Sequence, residues 1–97
     1  MNLPSHAQFT EQIGTTFQIS FAEDTTTDAE LIEVSELKAR SMQESFSVYF
    51  RTQGEVSEQA IYRLTHSVLG ELELFLVPVA HGDLGIRYEA VFSRMTA

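Results

Sequence analysis

Polar and apolar residues alternate with a period of two in several short stretches of the chain. Phe17, Ile19 and Phe21 alternate with Gln18 and Ser20; Phe46, Val48 and Phe50 enclose Ser47; Ile86, Tyr88, Ala90 and Phe92 alternate with Arg87 and Glu89. Successive side chains of an extended chain point to opposite faces, so the pattern predicts strands with one buried face. Turn-forming clusters at 22–28 (AEDTTTD), 38–44, 52–59 (TQGEVSEQ) and 80–85 (AHGDLG) leave segments too short for ordinary helices. Residues 5–12 differ: Ser5 is placed as an N-cap and Gly14 lies just past the end, which predicts one or two helical turns carrying Phe9 and Ile13 onto the core as a plug. Residues 28–37 fit both periods. Leu31, Val34 and Leu37 have helical spacing, while Leu31-Ile32-Glu33-Val34 after a Thr-rich run suits a strand with a bulge, and the strand is expected.

Register ties these strands to one another. If residues 66–70 close a hairpin with Thr65 opposite Glu71, Leu64 faces Leu72, Tyr62 faces Leu74, and Arg63 lies opposite Glu73 on the outer face. If residues 80–84 close the next hairpin, Leu76 faces Tyr88, Leu74 faces Ala90 and Leu72 faces Phe92, so both hairpins share one inner face. The outer face then carries Ile61 opposite Phe75, with Val77, Val79 and Val91 beside them, where a solvated face should be polar. Pro78 cannot donate to a ladder, which predicts an edge or a bulge there. The expected fold is all-β and mainly antiparallel, a small closed or partly open barrel of about six strands with a short N-terminal helical turn, in a single domain over 1–97.

Composition narrows the function. Fourteen acidic against six basic residues give a formal charge of −8, so polyphosphate backbones and anionic lipid would be repelled; neither nucleic acid nor membrane is an expected partner. The acidic balance is commonly a solubility device. With no Cys, disulfides and thiolate chemistry are excluded. The start, Met1 to His6, has neither a basic nor an apolar run, and no stretch is long enough to span a bilayer, so a cytoplasmic location is expected, or export without a classical signal.

No motif with a mechanism stands out. His6, His66 and His81 lack the spacing of metal ligands, and each reads as a surface or turn histidine. His81 and Asp83 with Ser67 or Ser93 could formally make a triad, but no nucleophile elbow or phosphate loop accompanies them, and Gly82 and Gly85 are explained by positive φ in a turn. Glu71 with Glu73, and Glu30 with Glu33, read as surface pairing positions, and the acidic loop from Glu23 and Asp24 to Asp28 lacks calcium-loop spacing. No catalytic residue, cofactor or metal is expected.

Four stretches carry a resemblance: Phe46-Ser47-Val48-Tyr49-Phe50-Arg51, residues 59–66 (QAIYRLTH), Gly70 through Phe75-Leu76-Val77-Pro78-Val79, and Tyr88-Glu89-Ala90-Val91-Phe92-Ser93-Arg94. Together they resemble a bacterial family of small single-domain proteins catalogued as a domain of unknown function, over about Phe9 to Arg94. Ala60 departs from that pattern, which favours Gly. The resemblance implies a short β domain associated with phage tail-collar-like or microcystin-dependent-like proteins, and it transfers no catalytic residue.

Three functions follow in order of expectation. The first is a non-enzymatic interaction module, an accessory or structural subunit of a tail-like or fibre-like assembly, docking through Ile61, Phe75, Val77 and Val91 to a protein partner or a copy of itself. The second is a small-ligand barrel lined by Tyr62, Phe50 and Tyr88, which so narrow a barrel disfavours. A hydrolase built on His81 and Asp83 is the remote third.

Overall fold

Each strand residue brings one backbone donor and one acceptor that need partners, and a sheet that closes on itself supplies them without free edges. The computed structural model, which describes residues 3–22, 25–53 and 58–95, has this arrangement. The elements are α1 (His6–Glu11), β1 (Thr16–Ala22), β2 (Thr25–Val34), β3 (Lys38–Arg40), β4 (Gln43–Thr52), β5 (Ala60–His66), β6 (Gly70–Gly82) and β7 (Gly85–Met95). The strands run β2-β1-β5-β6-β7-β4-β3, all antiparallel, and β2 also pairs with β4, which closes six strands into a barrel. No helix among the described residues is long and apolar enough to cross a membrane.

The alternating apolar positions supply the core. Phe17 and Ile19, Ala29 and Leu31, Val48 and Phe50, Leu64, Leu72 with Leu74 and Leu76, and Ile86 with Tyr88 and Ala90 all turn inward and are buried. Each large side chain withdrawn from water in this way contributes roughly 1.5–3 kcal/mol before entropy is counted. The longest uninterrupted ladder joins β4 to β7, from Gln43↔Met95 to Thr52↔Ile86.

The helical plug is half as anticipated. Ser5 caps α1 by accepting from the Gln8 N–H, and Gln8 returns a bond to the Ser5 N–H at 2.8 Å. Phe9 is fully buried, its ring 5.1 Å from that of Phe92 and 6.2 Å from that of Phe46. Ile13 does not join it and is 45% exposed, because α1 stops at Glu11 and Ile13 falls in the turn that leads to Gly14. Gly14, at φ +92°, donates to the Leu31 carbonyl, and Leu31 donates back to Thr15, which carries the chain from helix into sheet.

The β5–β6 register is the predicted one, with Leu64↔Leu72, Tyr62↔Leu74, Arg63↔Glu73 and Ile61↔Phe75. The β6–β7 register is displaced by two residues: Pro78, where Leu76 was expected, pairs with Tyr88. The turn holds only Asp83 and Leu84, and the strand shift between Pro78 and Ala80 absorbs the difference; a two-residue displacement leaves every side chain on its predicted face. Neither Asp83 nor Leu84 has a positive φ, so the primed hairpin turns are excluded, and Gly85 supplies the left-handed residue at φ +111°. Gly82 has no positive φ, contrary to expectation. Pro78 is tolerated because β5 begins at Ala60, opposite Leu76, so that β6 at Pro78 lies beyond the β5 ladder.

Residues 28–37 are strand, with the expected bulge between Leu31 and Glu33. The turn expected at 22–28 is shorter, since Thr25–Asp28 already belong to β2, while Glu23 and Asp24 lie outside the described residues. The turn expected at 38–44 shrinks to Ser41 and Met42. β3 continues the line of β2 along β4, pairing Lys38↔Ser45 and Arg40↔Gln43, and β3, the start of β4 and the end of β7 together extend the sheet past the barrel.

Candidate functional site

The outer wall of β5, β6 and β7 carries exposed apolar side chains. Ile61 stands opposite Phe75 on β5 and β6, and Val91 lies on the outer face of β7, two residues past Glu89, where the ladder with Val77 of β6 ends. Ile61 is 67% exposed, Phe75 51% and Val91 66%. Val77 is half-buried, and Val79, just past it at the register shift, is exposed. Three apolar side chains thus lie across three strands of the barrel wall without protein over them.

Polar residues border this row. Arg63 stands opposite Glu73, but its ion pair runs diagonally to Glu71 at 3.1 Å, leaving Glu73 without a partner among the described residues. Glu89 accepts from the Tyr49 hydroxyl at 2.8 Å, and that bond, together with burial, holds the Tyr49 proton above its ordinary value of 10.0. Further round the wall, Arg51 pairs with Glu30 at 2.8 Å and Arg87 with Glu33 at 2.6 Å, and Arg87 also lies over the Tyr49 ring. These ion pairs absorb Glu30, Glu33 and Glu71 into exposed surface contacts, each worth little on its own.

The histidines separate into three roles. His66 is buried against Phe17, with ring centroids 4.2 Å apart. Its Nδ1 accepts from the N–H groups of Val68 and Leu69 at 3.0 and 3.1 Å, and its Nε2 meets Thr15 Oγ1 at 2.9 Å; Thr15 donates in turn to the Gln12 carbonyl. This network fixes the neutral tautomer with the proton on Nε2, and desolvation lowers its pKa below the ordinary 6.5. His66 therefore holds the β5–β6 turn to the end of α1, a structural part, where the sequence predicts a solvated histidine at a strand end. His6 lies edge-on to Phe46 and bonds the Ser35 carbonyl at 2.8 Å.

His81 is exposed near the end of β6, opposite Ile86, with Asp83 in the adjoining turn. Ser67 is in the turn before β6, and Ser93 lies eight residues along β7. At about 3.3 Å per residue the serines are roughly 35 and 25 Å away, so the fold does not assemble the formal triad. Among the described residues no three His, Asp or Glu side chains are grouped to share a metal ion. Of the aromatics considered as ligand lining, Phe50 and Tyr88 are fully buried, Phe50 edge-on to Phe17 at 5.1 Å. Tyr62 is half-buried, packs on Phe21 and donates to the Glu58 carbonyl.

Two surface features were not singled out from the sequence. A groove of about 810 Å³ opens beside α1, floored by the stacked rings of Phe46 and Phe92 and rimmed by Leu3, His6, Leu37 and the Glu44–Arg94 ion pair. On the β3–β4 hairpin, Lys38, Arg40 and Met42 are all exposed. Lys-x-Arg between two strands of an acidic chain was the available signal.

Set beside known families, residues 4–92 match a family described as a domain of unknown function, DUF6916. The chain belongs to that family. Comparison with curated proteins and with solved structures finds no significant match. The family match covers α1 and all seven strands, ending within β7, so the exposed row and the hairpin are both part of the family domain.

Proposed function

We propose that this domain is a non-enzymatic protein-interaction module, an accessory or structural subunit of a tail-like or fibre-like assembly, that docks through Ile61, Phe75, Val77 and Val91. One observation carries the reading: the Ile61–Phe75–Val91 row is solvent-exposed on the wall of a barrel whose interior is filled by its own side chains. Isolated exposed apolar residues are ordinary, but exposed apolar side chains on three neighbouring strands of one wall favour a docking surface. The tail-like setting rests on the sequence resemblance.

The test is affinity capture of the tagged protein from its native bacterium with mass spectrometry, beside a Phe75→Glu variant checked to be folded. Recovery of a tail- or fibre-like protein by the wild type alone supports the reading; equal recovery by both, or of nothing by either, overturns it. A small-ligand reading has the groove over Phe46 and Phe92 in its favour, and the absence of any thermal shift across a broad metabolite and lipid panel would end it.

A further inference from the structure

Charge on this molecule is sorted by position. Of its six cationic side chains, Arg51, Arg63, Arg87 and Arg94 each hold a carboxylate on the barrel wall or its extension. The remaining two, Lys38 and Arg40, make no ion pair with any described residue. Both lie on β3, two residues apart and so on one face of the strand, at the terminal edge of the sheet. Met42 follows at the hairpin tip, 57% exposed. The most strongly acidic chain-level balance thus coexists with one basic, apolar-tipped hairpin that reaches past the barrel.

The docking row has the opposite character. Ile61, Phe75 and Val91 are flanked by Glu71, Glu73 and Glu89, with Arg63 the neighbouring cation. Two such rows brought face to face would oppose carboxylate to carboxylate, and two β3 edges would oppose cation to cation, so neither surface suits its own kind. Each suits the other. We propose that the occupant of the row is the β3–β4 hairpin of a second copy of this chain, Met42 against Ile61, Phe75 and Val91, and Lys38 and Arg40 against Glu73 and its neighbouring carboxylates.

The inference rests on the docking reading above and names the partner. Made head to tail, a contact between two different surfaces is heterologous: it does not close at a dimer but continues from copy to copy into a ring or a filament. The surface involved is small, so a single contact is weak, with a dissociation constant on the order of 0.1–1 mM. Repulsion between acidic bodies is cut by screening within about 8 Å at physiological salt, whereas touching pairs are screened less.

The test is sedimentation velocity on the wild type, on a Lys38→Glu/Arg40→Glu variant and on Phe75→Glu, each first shown to keep its far-UV spectrum and melting point. Glu73→Lys replaces Phe75→Glu if the latter misfolds. The wild type is expected to grow with concentration, without stopping at a dimer, and each variant to stay monomeric. An equimolar mixture of the two variants, one with an intact row and one with an intact hairpin, is expected to form a 1:1 dimer that grows no further. A wild type monomeric to about 1 mM, variants that assemble like the wild type, or a mixture that stays monomeric each overturns the proposal. If it falls while the wild type alone still captures a partner from the bacterium, the docking reading stands; if capture is unaffected by Phe75→Glu, that reading has failed as well.

Discussion

His66 Nε2 and Thr15 Oγ1 lie 2.9 Å apart across 51 positions of sequence, and the proton between them belongs to the imidazole. Nδ1 already accepts two backbone N–H groups, so a second ring proton would have to displace both.

Acidification should therefore weaken the fold through this residue. The unfolded imidazole takes up its proton near 6.5 and the folded one only at lower pH, so the unfolded chain binds more protons in between. The contribution is complete above about 6.5, declines as pH falls through the depressed folded value, and is level below it. Urea midpoints of the wild type and His66→Gln, measured from about pH 8 to about pH 4.5, are expected to converge on acidification. A difference independent of pH would contradict this account.

Phe9 and Ser5 act on the same six-residue helix, which is too short to persist unless docked. Phe9→Ala is expected to cost about 3–5 kcal/mol by emptying its place against Phe92 and Phe46. Ser5→Ala should cost about 1 kcal/mol by removing the cap. The double variant should lose less than the sum, since an undocked helix has little use for its cap. Equilibrium unfolding of the three variants decides it, and strict additivity would show that α1 holds its shape without Phe9.

Two glycines with positive φ should respond differently to alanine. At Gly85 a Cβ would overlap the Thr52 carbonyl oxygen, whereas at Gly70, φ +79°, it would meet open space. Gly70→Ala is expected to cost about 1 kcal/mol from backbone conformation alone, and Gly85→Ala about 3 kcal/mol. Thermal unfolding separates the two, and equal losses would place the cost in φ alone.

Met42 holds φ +61° at the hairpin tip, a conformation that Asn accepts more readily. Met42→Asn should raise stability by about 0.5–1 kcal/mol in urea titration. It should also weaken association between copies if the tip is the apolar part of that contact, so one substitution improves the fold while impairing its use.

The fold was readable wherever one face of a strand is buried. Leu64, Leu72 and Leu74 exclude a slip of one residue, which would expose them all, and the 66–70 turn chooses among the registers left. β3 was missed because Lys38-Ala39-Arg40 is exposed throughout and has no buried face to leave a period of two. The register of β6 on β7 was misplaced by two residues because the faces are the same either way, and only the Gly85 backbone decides between turns. The exposed apolar side chains of the outer wall could be seen as a remainder on a face that should be polar. His66 could not, since its burial depends on Thr15 and Phe17, brought to it by pairings far apart in the chain.

β7 stands between β6 and β4 in the ring, although it is the most C-terminal of the barrel strands. During synthesis the wall cannot be completed until that strand has left the ribosome, because β6 and β4 have only each other's absent neighbour to pair with on that side. Until then Leu72, Leu74, Leu76, Val48 and Phe50 line a half-built sheet with two open edges, the kind of surface that chaperones bind and that aggregates nucleate on. Closure of this small barrel is thus timed by the emergence of β7.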